Sequence, residues 1–258
     1  MQPVFFGSSA QPLYGVLTPA TARPRRKTGV LLLYPGVQEY SRAHWAFRTL
    51  AGALAARGFC ALRFDYRGVG DSAGDPDSTT VDACVDDACV AASELRDAGA
   101  VDQVAIIGMR LGAAVGAHAC ERLPFVDRVF LWNPVVDGRA YVRELEHMDR
   151  AMRLRLLHPL EHREDELAGF RFPSHVRRSL ERVDLCSGSA PLARGVEVFA
   201  EPGSSESAAL REAASRRGHQ VVTHTIHDSG GPPPFPDASL LAQEAIASLV
   251  ARMDEVAP

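Results

Sequence analysis

After residue 25 the chain alternates two kinds of segment. Short apolar runs at Val30–Tyr34, Cys60–Phe64, Val104–Ile107, Val129–Trp132, Val196–Phe199 and Val221–Ile226 are continuous rather than alternating, as strands covered on both faces are. Between them, Ala43–Arg57, Thr80–Arg96 and Arg110–Arg122 place apolar residues at helical spacing. In the second of these, Val81, Cys84, Val85, Ala88, Ala92 and Leu95 recur at three- and four-residue steps, while Asp82, Asp86, Asp87 and Glu94 fall on the other face. Strands alternating with helices predict a parallel sheet with right-handed crossovers. Val4–Phe6 and Leu13–Leu17, separated by Gly7-Ser8-Ser9, predict a leading antiparallel hairpin at the edge of that sheet.

From about residue 139 to about 190 the pattern changes. Long Arg- and Glu-rich helical stretches, uninterrupted by a strand, are broken at His158-Pro159 and Phe172-Pro173. An insertion of this size before the strand at Val196 predicts a helical cap over the sheet's carboxyl edge, within a single domain spanning residues 1–258. Its arginines, among them Arg143, Arg150, Arg153, Arg155, Arg163, Arg177 and Arg178, are interleaved with acids. That reads as a solvated helix face, with a docking face for an anionic ligand or a carrier protein as the alternative.

Composition narrows the partners. Hydrophobic residues make up 46% and charged residues 23%, and the formal net charge is −4, so nothing suggests a nucleic-acid footprint. No apolar run is long enough to cross a bilayer, and the N-terminus has no basic segment followed by an apolar one, which points to a cytoplasmic protein. The five cysteines, Cys60, Cys84, Cys89, Cys120 and Cys186, sit mostly in apolar patterns without metal-ligand spacing and read as buried thiols. The basic run Arg23–Lys27, which contains Pro24, reads as an exposed loop. No nucleotide fingerprint, metal-ligand set or cofactor lysine motif is present, so neither cofactor nor metal is expected.

The candidate chemistry sits after the strand at Val104. Val104-Ala105-Ile106-Ile107 runs into Gly108-Met109-Arg110-Leu111-Gly112, with Gly108 and Gly112 permitting a sharp strand-to-helix turn. This resembles the Gly-x-Ser-x-Gly nucleophile elbow of α/β-hydrolases, with arginine where that superfamily carries serine. Leu62-Arg63-Phe64-Asp65-Tyr66-Arg67-Gly68-Val69-Gly70-Asp71-Ser72 is similar to the Asp-x-Arg-Gly-x-Gly-x-Ser turn of the same superfamily. Nearly the whole chain resembles the serine-aminopeptidase-like α/β-hydrolases. A closer likeness to exosortase-A-system-associated hydrolases and their biosynthetic-cluster relatives rests on Gln38-Glu39-Tyr40, Arg42-Ala43-His44, the Gly-x-Arg-Leu-Gly elbow, Leu131–Gly138 with Tyr141, and Gly231–Phe235. The fold implied is a mostly parallel central sheet with helices on both faces and a helical cap.

A guanidinium has no lone pair with which to attack a carbonyl, so Arg110 cannot form an acyl-enzyme. The resemblance implies a histidine after the last strand, where His227 stands with His224 as an alternative. It also implies an oxyanion hole from the amides of Val37 and Leu111, and an acid for which Glu201, Glu206 or Asp137 are candidates. Glu39 and His44 are further polar groups expected at the pocket. Two readings remain open. In one, His227 activates water against an acyl ester or thioester while Arg110 holds a carboxylate or oxyanion. In the other, Arg110 pairs with an internal carboxylate such as Glu39, Asp137 or Glu206, and the scaffold binds an anionic metabolite or a pathway enzyme without turnover.

Overall fold

The computed structural model describes residues 1–36, 39–154, 165–167, 169–187, 195–227 and 240–256. The predicted hairpin forms from β1 (Gln2–Ser8) and β2 (Gln11–Thr18), paired antiparallel. Next come β3 (Thr28–Leu33), α1 (Glu39–Ala55), β4 (Cys60–Phe64), α2 (Val81–Ala98), β5 (Gln103–Met109), α3 (Leu111–Arg122) and β6 (Val126–Trp132). The chain continues through α4 (Gly138–Arg153), β7 (Glu166–Leu167), β8 (Phe170–Arg171), α5 (Ser174–Glu181), β9 (Gly195–Ala200), α6 (Ser205–Arg216), β10 (Val221–Thr225) and α7 (Gln243–Val256).

Eight strands form one sheet in the order β1-β2-β4-β3-β5-β6-β9-β10. Every pairing from β4 to β10 is parallel, and the hairpin joins antiparallel through β2 and β4. The central strands read as unbroken apolar runs because both faces are covered: all of β3 and β4 is buried. On one face α2 and α3 pack Leu95, Ala88 and Val115 against Leu31, Leu62 and Ile106. On the other, α1 and α7 pack Phe47, Leu50, Leu249 and Met253 against Leu32, Ile107 and Phe130. Thr80 caps α2 by accepting from the Ala83 amide, which explains why the helical pattern starts there.

The insertion between β6 and β9 departs from the expected uninterrupted helices. Between α4 and α5 the two-residue strands β7 and β8 form a small antiparallel hairpin. Helical spacing in so polar a stretch does not exclude two residues of strand pairing, which leave no periodic signature. Pro173 precedes α5 and begins it rather than merely ending what lies before. The other expected break, His158-Pro159, lies outside the described residues. Arg153 pairs with Asp149 and Arg177 with Glu146, as an interleaved charged face requires.

Cys60, Cys84 and Cys120 are buried, Cys89 and Cys186 half-buried, and all five are free thiols. Burial pushes the Cys84 thiol well above its ordinary value. The Arg23–Lys27 run lies in a loop, where Arg26 pairs with Asp254 and Lys27 lies 3.9 Å from Asp102.

Candidate functional site

The site begins with backbone geometry at the end of β5. Arg110 sits between β5 and α3 at φ 53° and ψ −117°, a region side chains rarely enter. Three hydrogen bonds hold it there. Its amide donates to the Trp132 carbonyl at 2.9 Å, and its carbonyl accepts from Ala113 at 3.1 Å and Val135 at 3.2 Å. The flanking glycines are obligatory for a steric reason. A Cβ on Gly112 would run into the Leu33 and Tyr34 carbonyls, and one on Gly108 into the Gly112 carbonyl. This is a tight strand-to-helix elbow with Arg110 at its apex.

That guanidinium is engaged. Its Nε donates to Glu39 Oε1 at 3.0 Å and its Nη2 to Glu144 Oε2 at 2.6 Å, while its carbon lies 5.2 Å from the centroid of the Tyr141 ring. The Tyr141 hydroxyl donates to the other oxygen of Glu39 at 2.8 Å. Glu39 is the first residue of α1; Tyr141 and Glu144 share a face of α4, one turn apart. Arg110 and Glu39 are 14% and 15% exposed and Glu144 is 53% exposed, so the first pair is mostly shielded from water and the second is not. Burial works against the Arg110 charge, but the two carboxylates outweigh it and hold the guanidinium above its ordinary range. Burial raises Tyr141 as well, and the Glu39 carboxylate adds to the effect.

Of the acids expected near Arg110, Glu39 is bonded to it. Glu206, in the first turn of α6, is close enough for the Arg110 charge to act on it. Burial raises the Glu206 carboxyl despite that charge, and Glu144 adds to the rise. Asp137 has another use: its Oδ1 caps α4 by accepting from the amides of Arg139 and Ala140. Glu201 is an exposed residue directly after β9.

Leu111 opens α3, so its amide belongs to the helix N-terminus beside Arg110. Val37, the other expected oxyanion donor, lies outside the described residues. His227 is exposed and follows Ile226 at the end of β10. The alternative histidine, His224, is committed inside the strand. It bonds Glu197 at 2.6 Å and stacks on Phe199 at 4.4 Å. His44 is exposed on α1 and lies parallel to the Tyr34 ring at 6.1 Å; burial and the nearby Arg63 charge lower its pKa. The Gly231–Phe235 run lies outside the described residues.

The turn after β4 is scaffolding. Asp65 accepts from the Tyr40 hydroxyl at 2.6 Å and the Asp71 amide at 3.1 Å, and Arg67 holds Asp87 through Nε and Nη2. Ser72 donates to the Asp65 carbonyl and accepts from the Tyr14 amide.

Sequence reasoning did not name Glu144 as a partner of Arg110. The available signal was helical phase: with Asp137 capping α4, Tyr141 and Glu144 fall on one face, three residues apart. Among the described residues no helix is long and apolar enough to cross a membrane.

Solved structures similar to this one share its architecture at low identity. An esterase from Pyrococcus furiosus matches with a TM-score of 0.67 and 15% identity, over 98% of this chain and 88% of its own. Est1E from Butyrivibrio proteoclasticus, solved with ferulic acid bound, matches at 0.66 and 13% over 98% and 96%. Mouse α/β hydrolase domain-containing protein 10 matches at 0.59 and 15% over 99% and 98%. No curated protein matches the chain. The family model described as serine aminopeptidase, S33, matches residues 25–200, a span from the loop before β3 through β9 that includes the elbow. With the strand order and elbow geometry above, that match places the chain in the serine aminopeptidase S33 family of α/β-hydrolases.

Proposed function

We propose that this protein is a hydrolase-fold binding protein that has given up covalent catalysis, recognising a small metabolite or a pathway protein at the elbow rather than cleaving an ester. The observation that carries this reading is the pairing of Arg110 with Glu39 and Glu144. A guanidinium poised to receive a substrate carboxylate or an oxyanion would have its donors free, whereas here two of its nitrogens already serve carboxylates. Arg110 with Glu39 and Glu144 carries a net negative charge, and Glu206 stands nearby. That balance favours a neutral or amine-bearing ligand group over the anionic one that Arg110 alone suggests.

One observation supports a second reading. His227 lies two residues beyond β10, where the resemblance to this fold family implies a catalytic histidine, and water activated there could attack an acyl ester or thioester without an acyl-enzyme.

A panel of acyl esters and acyl thioesters, assayed with the wild type, Arg110→Ala and His227→Ala, separates the two. The binding reading expects no turnover above buffer by any of the three. Wild-type turnover lost in both variants would overturn it in favour of serine-independent hydrolysis.

A further inference from the structure

The last strand of the sheet has an open side. Ile226 donates its amide to the Ala200 carbonyl, and β10 runs parallel to β9 with His224 opposite Phe199. In a parallel ladder the backbone groups of alternate residues point to the same neighbour. Val222, His224 and Ile226 therefore turn their amides and carbonyls toward β9, and Val221, Thr223 and Thr225 turn theirs outward. Among the described residues, none of these three outward ones has a hydrogen bond on that side.

Natural sheets guard such edges with charge, proline or a bulge. The sequence Val221-Val222-Thr223-His224-Thr225 has no carboxylate, lysine, arginine or proline, and its register with β9 is unbroken. Its one titratable side chain, His224, is held by Glu197 rather than left to repel an incoming strand. Val222 is 45% exposed, and Thr223 and Thr225 are exposed too. The opposite edge strand, β1, carries Pro3, which has no amide to donate.

The geometry points to β10 as a self-association edge that pairs antiparallel with β10 of a second copy about a two-fold axis through Thr223, extending the sheet across the dimer. Thr223 then exchanges both of its backbone bonds with Thr223 of the second copy, and Val221 does the same with Thr225. Val222 is covered by His224 of the second copy on the face where α7 lies. A second copy is the fitting occupant because the edge is its own complement under a two-fold: its pattern of outward donors and acceptors is symmetric about Thr223, and no like charges meet.

Light scattering after size exclusion, from about 1 to about 200 μM protein, tests this. The wild type is expected to approach twice the 27.9 kDa chain mass as concentration rises. Thr223→Lys sets two like charges against each other at the axis and should raise the dissociation constant at least about tenfold. Phe5→Lys, on the exposed face of β1, should dimerise as the wild type does. Circular dichroism confirms that both variants are folded. A wild type monomeric throughout, a Thr223→Lys protein that still dimerises, or dissociation by Phe5→Lys alone would each overturn the proposal.

Discussion

Arg110 and Tyr141 meet in two ways at once: the guanidinium carbon lies 5.2 Å from the tyrosine ring centroid, and both side chains donate to the same carboxylate, Glu39. The arginine is therefore a structural link as well as a charge. It ties the start of α1 to α4 across the elbow, with the ring contributing a cation–π contact and a shield from water.

Its two ion pairs should differ in strength despite similar distances. Glu39 shares a mostly buried environment with Arg110, whereas Glu144 is half in water. A double-mutant cycle on Arg110 and Glu39 should give about 2 kcal/mol of coupling in chemical denaturation. The same cycle with Glu144 should give less than about 1 kcal/mol. Equal couplings would mean that the exposed pair is as well shielded as the buried one.

The backbone at position 110 makes a prediction independent of charge. Arg110→Ala and Arg110→Gly both delete the guanidinium, but only glycine is at ease at φ 53°. The glycine variant should be the more stable by roughly 1 kcal/mol, the reverse of their usual order beside a helix. Melting temperatures of the two proteins decide it.

Gly112→Ala should be far more damaging than its single added methyl suggests. The new Cβ points at the Leu33 and Tyr34 carbonyls, rigid backbone at the end of a central strand, so nothing can move aside cheaply. A loss of about 3 kcal/mol or more is expected in urea denaturation. Gly52→Ala, where a methyl meets open space within α1, should be neutral or stabilising.

Acid stability should depend on Glu197. Although this carboxylate is almost fully buried, and burial alone would raise it, hydrogen bonds from Arg252 and His224 hold it below the ordinary glutamate value of 4.5. The unfolded chain thus takes up this proton at a higher pH than the folded one. The stabilisation is complete above about pH 5 and is lost as pH falls through the folded value. Glu197→Gln should cost about 2 to 4 kcal/mol at neutral pH and flatten the pH dependence of unfolding below about pH 5. An unchanged slope would assign acid sensitivity to other carboxylates.

The fold was readable because its signals are local and repeated. Continuous apolar runs such as Val30–Tyr34 arise only when both sheet faces are covered, and the spacing of Gly108 and Gly112 marks the elbow through a steric demand that no other residue meets. The hairpin at β7 and β8 was not readable, since two residues cannot display a period of two against a polar background. The site was legible in its elbow and in Glu39 as a partner. Asp137 looked like a pocket acid because a helix cap and a catalytic carboxylate occupy the same place in sequence, after a strand and before a helix. Glu144 is marked only by its helical phase with Tyr141, a signal that depends on knowing that Asp137 caps α4 and is otherwise lost among the charges of that helix.

The anchoring of Glu39 by Tyr141 couples positions 39 and 110. Replacing Arg110 by serine would remove the cation and leave the carboxylate fixed at the elbow by the tyrosine hydroxyl. The negative charge that builds up during acyl transfer would then develop against a resident negative charge, opposing the stabilisation an oxyanion hole supplies. Serine chemistry at this elbow would therefore take more than the one substitution. Serine at position 110 would meet that opposing charge unless Glu39 were neutral as well, so the effect of a substitution at either position depends on the residue at the other.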